Sequence, residues 1–268
     1  MNSPGPSSSD GPADPPSGVR SDTGAAVTED RLLGGRVCLR QPAEGARAAI
    51  DPVFLAAAIP AEPQQQILDA GCGAGAAMLC LAARVPGCRV IGIELQRDLV
   101  RLAGDNVLLN GMADRLSAMV GDLLQPPPRL SPGSFDHVMA NPPFIERGRG
   151  SPVADPAKAA ATVEGDAALG DWVRFALGMV RAKGTITFIH RADRIDVLLA
   201  QLAGRAGGIV VFPLWPRAGQ AANRVIVQAR KQVAAPARLA AGLVLHEADG
   251  RFTAAADAVL RAGDPLIL

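Results

Sequence analysis

Apolar residues in this chain gather into short runs separated by helix-length stretches that contain no breaker. The runs near 67–69, 90–94, 116–120, 135–140 and 184–190 carry few charges, the pattern of strands covered on both faces. Between them, the stretches near 76–85, 96–110, 167–181 and 193–205 read as helices, the first being rich in Ala, Leu and Met and ending before Pro86. Strand and helix in alternation predict right-handed βαβ crossovers and an α/β fold with a parallel sheet. Two later runs, Ile209 to Leu214 and Val225 to Ala229, flank the turn-rich Pro216-Arg217-Ala218-Gly219 and predict a closing hairpin with one antiparallel strand.

Both ends of the chain read differently. Residues 1–25 are dense in Ser, Pro, Gly and Asp and are expected to be a disordered tail. Residues 26–60 are expected to form a hairpin and a helix. Gly34-Gly35 leads into the alternating run Arg36-Val37-Cys38-Leu39-Arg40, and the chain is expected to turn back after Pro42-Ala43-Glu44-Gly45. Asp51-Pro52 then opens a helix, read as an N-cap acid with Pro at N1. Residues 61–235 make the main domain, and 236–268 are expected to cover it with a small strand and helix.

The chemistry sits where strands end. Asn141-Pro142-Pro143-Phe144 follows the strand at 135–140, and two prolines stop that strand because each lacks an N–H and fixes φ. An amide and an aromatic ring are thereby left at a rigid strand end, where open α/β sheets place ligands. Alone, the tetrapeptide is equally a strand-terminating turn.

Upstream, Ile67 to Ala70 runs into Gly71-Cys72-Gly73-Ala74-Gly75, whose glycines permit positive φ and close approach of a ligand to the backbone. The spacing is G-x-G-x-G, which departs from the G-x-G-x-x-G dinucleotide fingerprint and disfavours a nicotinamide-dependent oxidoreductase. The next strand ends in Glu94, 19 residues after Gly75, placed to accept from ribose hydroxyls. The following one ends at Gly121-Asp122, whose carboxylate is placed to receive an adenine amino group. Taken singly, Glu94 and Asp122 read as capping or solvated acids. Four polar strand ends in order point instead to one ligand-binding rim.

This order resembles the class I S-adenosylmethionine-dependent methyltransferases over roughly residues 65–230. Asp69 to Gly75 is similar to their first motif, Glu94 to their ribose-binding acid, and Asp122 to their adenine-contacting acid. Asn141-Pro142-Pro143-Phe144 resembles the [D/N/S]-P-P-[Y/F] motif of members that methylate exocyclic or amide nitrogens. Asp30 to Val37, Ile50 to Ala57, Arg224 to Lys231 and Leu245 to Thr253 resemble the two ends of the bacterial tRNA-Val adenine methyltransferase family.

The resemblance implies a Rossmann-like, mostly parallel seven-stranded sheet with helices on both faces and an N-terminal hairpin. It also implies S-adenosyl-L-methionine as cofactor, held by Asp69, Gly71, Gly73, Gly75, Glu94, Asp122 and Asn141. Asn141, Pro142 and Phe144 are the implied catalytic positions, acting on the exocyclic amine of adenine in RNA, with tRNA foremost. Guanine of ribosomal RNA, a protein glutamine, or a non-catalytic cofactor- or RNA-binding module remain alternatives. The chain contains no Tyr, so Phe144 supplies stacking without a hydroxyl.

Composition adds limits. Hydrophobic residues make up 49% of the 268 but aromatics only 3%, so the core is built from aliphatic side chains. Trp172 and Trp215 are read as packing. The four cysteines (38, 72, 80 and 88) form no C-x-x-C pair and the histidines (137, 190 and 246) are scattered, so no metal is expected. A reduced, cytoplasmic setting and no membrane span are expected. Residues 1–30 hold five acids and one Arg, −4, which leaves +5 for residues 31–268 given the overall +1. That balance is compatible with an RNA partner, and Arg147, Arg149, Arg191, Arg194, Arg217, Arg224 and Lys231 are the candidate phosphate contacts. The unpatterned segment 145–166 follows the tetrapeptide directly and is expected to act as a lid.

Overall fold

The computed structural model describes residues 19–20, 26–43, 50–143 and 167–268. Three antiparallel strands come first: β1 (Val19–Arg20), β2 (Ala26–Leu32) and β3 (Val37–Pro42). Two residues of the expected tail, those of β1, are thus paired at the backbone level. The rest of that tail lies outside the described residues. The hairpin exists but is shifted from its expected place. Its turn is Leu33–Gly35, and β2, which precedes the glycines, is the partner of β3, with Leu32 opposite Val37 and Val27 opposite Pro42. The reversal occurs there with Gly34 and Gly35 at φ of 64° and 93°; Glu44 and Gly45, part of the turn expected at 42–45, lie outside the described residues.

Helix α1 (Asp51–Ala58) opens at Ile50 rather than at Asp51. Asp51 lies inside the first turn and makes no capping bond. Its carboxylate instead accepts from Arg224 Nε at 2.8 Å, tying α1 to the start of the strand that begins at Arg224.

The main sheet uses β4 (Gln66–Ala70), β5 (Arg89–Glu94), β6 (Leu116–Val120), β7 (Phe135–Ala140), β8 (Val180–Arg191), β9 (Ala206–Arg217) and β10 (Arg224–Lys231). Their spatial order is β6-β5-β4-β7-β8-β10-β9. The first five are mutually parallel, and β10 is wedged antiparallel between β8 and β9, as the turn at 216–219 predicts. The sheet is larger than the seven strands expected. β11 (Arg238–Leu239) and β12 (Leu243–His246) run parallel to β9 along its outer edge, giving nine strands. Left bare, the 12-residue β9 would present a long row of unpaired N–H and C=O groups, and this covering removes that liability.

Helices α2 (Ala76–Arg84) and α3 (Arg97–Leu109) pack with α1 and the hairpin on one face, around Phe54, Leu79 and Met78. Helices α4 (Leu169–Met179) and α5 (Ile195–Leu202) cover the other, around Phe188, Val173 and Leu198. The expected helix 167–181 is shorter, because α4 passes straight into β8 at Val180, where the backbone turns extended (φ −71°, ψ 141°). Short helix α6 (Ala254–Asp257) and the turn after it fold the C-terminal segment back onto α1, where Leu266 N–H reaches the Ala57 carbonyl at 2.9 Å.

Candidate functional site

Register builds the site. Ala140 of β7 pairs with Ala70 of β4, Ala70 with Ile93 of β5, and Glu94 with Val120 of β6. The residues just beyond the Ala140–Ala70–Ile93 row are Asn141, Gly71 and Glu94. Neighbouring strands lie about 5 Å apart. The amide, the glycine turn and the acid therefore leave adjacent strands at one level of the carboxyl edge.

The turn is held by a small set of backbone bonds. Gly71 and Cys72 N–H both donate to the Ile93 carbonyl, at 2.8 and 3.1 Å, which swings the chain across the end of β5. Gly75, at φ +90°, then opens α2, and Leu79 N–H reaches its carbonyl at 3.0 Å. Glu94 clamps the middle. Its Oε2 accepts from Gly73 N–H at 3.1 Å and its Oε1 from Gln96 N–H at 2.9 Å. Each carboxylate oxygen keeps acceptor capacity after that, so ribose hydroxyls can still be bound there. Gly121 N–H donates to the Glu94 carbonyl at 3.0 Å and brings the end of β6 alongside, where half-buried Asp122 turns its Oδ1 to Leu124 N–H at 2.8 Å.

The glycines differ in what surrounds them. A Cβ on Gly73 would meet nothing within 4 Å, so the turn faces open space at that point. A Cβ on Gly71 would sit 2.5 Å from the Trp172 ring. Trp172, in the first turn of α4, is buried in the core, as its packing reading expects, and its ring lies against the start of the glycine turn. Leu95 is the residue that sequence reasoning missed. It is 66% exposed beside Glu94, with Val120 and Leu124 also exposed nearby on β6 and just after it, an apolar strip next to two acids.

Asp69 occupies a different position from the other acids. It is 2% exposed, lies beneath the turn, and its Oδ2 has no hydrogen-bond partner. Burial pushes its carboxyl up to about 8, the Met78 N–H pulling it down and the neighbouring Glu94 raising it further. It supports the turn from below. At the other end of the row, Asn141 is exposed, Pro142 buried and Pro143 half-buried. Phe144, Arg147, Arg149 and the expected lid at 145–166 lie outside the described residues.

The remaining candidates separate. Burial raises the thiols of Cys72, Cys80 and Cys88, which keeps them protonated and unreactive, and no disulfide joins the four cysteines. His137 is a core residue, bonded through Nδ1 to Thr185 Oγ1 (2.7 Å) and through Nε2 to Gln65 Oε1 (2.8 Å); burial lowers it to about 4. His246 stacks on Phe252 with centroids 4.8 Å apart. Among the described residues no cluster of His, Cys, Asp or Glu could hold a metal ion. No described helix is long and apolar enough to cross a membrane.

Among the described residues, the basic candidates do not form one surface. Arg191 pairs with Asp193 and Arg224 with Asp51 at the rim end of their strands, as the register of Arg224 opposite Arg191 requires. Arg194 follows β8 at the same edge, and Arg217 ends β9 there. Lys231 stands at the opposite edge, its Nζ on the Val180 carbonyl at 2.8 Å. A hollow of about 360 Å³ lies there too, lined by Arg174, Leu177, Arg205, Lys231 and Gln232 and remote from the glycine turn.

Comparison with known proteins finds methyltransferase relatives and methyltransferase folds. A family described as "Methyltransferase small domain" matches residues 46–156. The tRNA1(Val) (adenine(37)-N6)-methyltransferase of Vibrio campbellii is 31% identical over 107 residues, 40% of this chain and 44% of that protein. The rRNA N(6)-adenosine-methyltransferase of Caenorhabditis elegans is 24% identical over 135 residues, 50% of this chain and 56% of that protein. The chain therefore spans about half the length of these relatives. An Agrobacterium tumefaciens structure described as a predicted O-methyltransferase superposes with a TM-score of 0.67 at 24% identity, covering 81% of this chain and 98% of that one. P. horikoshii TYW2 in complex with MeSAdo superposes with a TM-score of 0.53 at 14% identity, covering 76% and 70%. The fold is that of the class I methyltransferases.

Two outcomes are expected. Because the folded Asp69 carboxyl titrates near 8 against an ordinary 3.8, protonation favours the folded state, and stability falls as pH rises between those values. Asp69→Asn should flatten that fall, read as urea midpoints from pH 5 to pH 9; an unchanged slope would remove Asp69 as its source. Gly71→Ala combines a φ of +69° with the clash on Trp172 and should cost about 1–3 kcal/mol in urea unfolding, since positive φ alone is of that order. Adding Trp172→Ala should restore only the steric share.

Proposed function

We propose that this chain, whose residues 46–156 carry a methyltransferase small domain, is an S-adenosylmethionine-dependent N-methyltransferase acting on the exocyclic amine of adenine in RNA, with tRNA as the foremost substrate. The observation that carries the reading is the single row of Asn141, Gly71 and Glu94 at the carboxyl edge, with open space over Gly73. The relatives named for adenine N6 methylation of tRNA and of rRNA support the amine acceptor and leave the RNA class as the finer part of the proposal.

The residues present suit the cofactor. Glu94 has acceptor capacity for two ribose hydroxyls, Asp122 for an adenine amino group, and exposed Leu95 gives a flat ring an apolar surface. The glycine turn admits a ligand against its backbone at Gly73. S-adenosylmethionine supplies an electrophilic methyl carbon on a sulfonium, so no metal or covalent enzyme intermediate is needed.

The protein's task is then positional. An adenine amine is a poor nucleophile because its lone pair is delocalised into the ring. In this reading the Asn141 side-chain oxygen and the Pro142 carbonyl accept its two N–H groups, which favours pyramidal nitrogen and aims the lone pair. With the cofactor bound, an amine held in this way would take up its methyl group, and the surplus proton would leave the nitrogen for water. The reading gives Phe144, outside the described residues, the role of stacking on the flipped-out base, an interaction of roughly 1–3 kcal/mol in comparable sites.

Asn141→Ala should lower methyl transfer about a hundredfold or more, the scale of a lost positioning contact, while cofactor affinity stays near wild type. Glu94→Ala should weaken cofactor affinity instead. Labelled methyl incorporated into total RNA supports the reading, and label found only in protein would move the substrate to a glutamine side chain. Wild-type rates in Asn141→Ala would overturn the proposed site.

A further inference from the structure

The glycine turn has a second anchor, and it comes from the N-terminal hairpin. Strand β3 pairs through one edge with β2, and its other edge would be bare at Cys38 and Arg40. Among the described residues no strand covers it. Two amide side chains, from Asn106 of α3 and from its C-cap Asn110, do so, one helical turn apart. Asn110 Oδ1 accepts from Cys38 N–H at 2.9 Å and its Nδ2 donates to the Cys38 carbonyl at 2.7 Å. Asn106 repeats this at Arg40, with Oδ1 accepting from the N–H and Nδ2 donating to the carbonyl, both at 2.8 Å. The spacing works because one helical turn rises about 5.4 Å. Two strand residues span about 6.6 Å, close enough for side chains to bridge.

Asn106 differs from Asn110 in one respect. Its second amide hydrogen goes to the Ala74 carbonyl at 2.9 Å, inside the glycine turn, whereas that of Asn110 goes back to the Asn106 carbonyl of its own helix at 2.7 Å. Asn106 is fully buried, so water cannot replace any of these bonds. Glu94 thus fixes the turn at Gly73 N–H from the ligand side, and Asn106 fixes it one residue later from behind.

We infer that Asn106 is a positioning residue for the cofactor turn, and that through it the hairpin β2–β3, which precedes the matched residues 46–156, forms part of the cofactor-binding scaffold. The inference rests on the reading of the turn as the S-adenosylmethionine site. In this ladder the hydrogen-bonded link from β3 to the turn runs through the Asn106 side chain.

The comparison of Asn106→Ala with Asn110→Ala in the full chain tests it, because both remove an amide that stitches β3 to α3 and only the first frees Ala74. Both should lower the melting temperature. Only Asn106→Ala should raise the dissociation constant of S-adenosylhomocysteine about tenfold by calorimetry, the scale of one lost buried hydrogen bond. Its KM for S-adenosylmethionine should rise in step, with kcat at saturating cofactor retained. Equal affinities in the two variants, or wild-type affinity in Asn106→Ala, would overturn the inference. Should Asn106→Ala fail to fold, amide exchange in the wild-type chain probes the same coupling: saturating S-adenosylhomocysteine must slow exchange at Arg40, and an unchanged rate overturns it. A wild-type chain that does not bind S-adenosylhomocysteine removes the cofactor reading itself, and the inference with it.

Discussion

Where β4 loses its last pairing at Ala70, two consecutive N–H groups, those of Gly71 and Cys72, turn to a single acceptor, the carbonyl of Ile93. Buried backbone groups at a strand end must find partners, and here the partner sits on the neighbouring strand. This shared acceptor bends the chain over β5 and brings Gly73 N–H onto the carboxylate that follows Ile93. The open face at Gly73, the level of Asn141 one strand away and the start of α2 all follow from that bend. Glycine is required at Gly71 for two separate reasons, its positive φ and the Trp172 ring lying against it.

Holding such a turn in a fixed shape brings two acids close together. Burial beneath the turn, with Glu94 nearby, raises the Asp69 carboxyl, so Asp69 is the acid that retains its proton. Glu94 takes backbone donors on both of its oxygens, from Gly73 and Gln96.

Much of the central architecture is legible in the sequence because strands covered on both faces must be apolar throughout. The runs at 116–120 and 135–140 coincide with β6 and β7, and the turn at 216–219 separates β9 from the antiparallel β10. The hairpin begins one strand earlier than the apolar alternation suggests. β2 is mostly polar, Thr28-Glu29-Asp30-Arg31, because only Val27 is buried in it, so no alternation marks it. Strands β11 and β12 are hard to foresee in full since they are two and four residues long and exist to cover an edge. Asn106 leaves no signal at all. A side chain that pairs with backbone groups 66 residues away has no periodicity, and the residue reads as an ordinary polar position in a helix.

The nature of the acceptor atom is constrained by what stands beside Asn141. Methylating a hydroxyl calls for a base that removes its proton early in the reaction. An amine can attack first and shed its proton afterwards, so it needs only acceptors that orient its N–H groups. Among the described residues, the titratable neighbour at the end of β8, next to the Pro142-Pro143 turn, is His190, which is 2% exposed and which burial holds below the ordinary histidine range. Asp69 is sealed under the turn. Arg191 and Arg224 carry the wrong charge for a base and are engaged by Asp193 and Asp51. Among the described residues, the amide oxygen and the proline carbonyl are acceptors without basicity, which is compatible with the proposed amine acceptor. The likeness to a structure described as an O-methyltransferase extends to the fold.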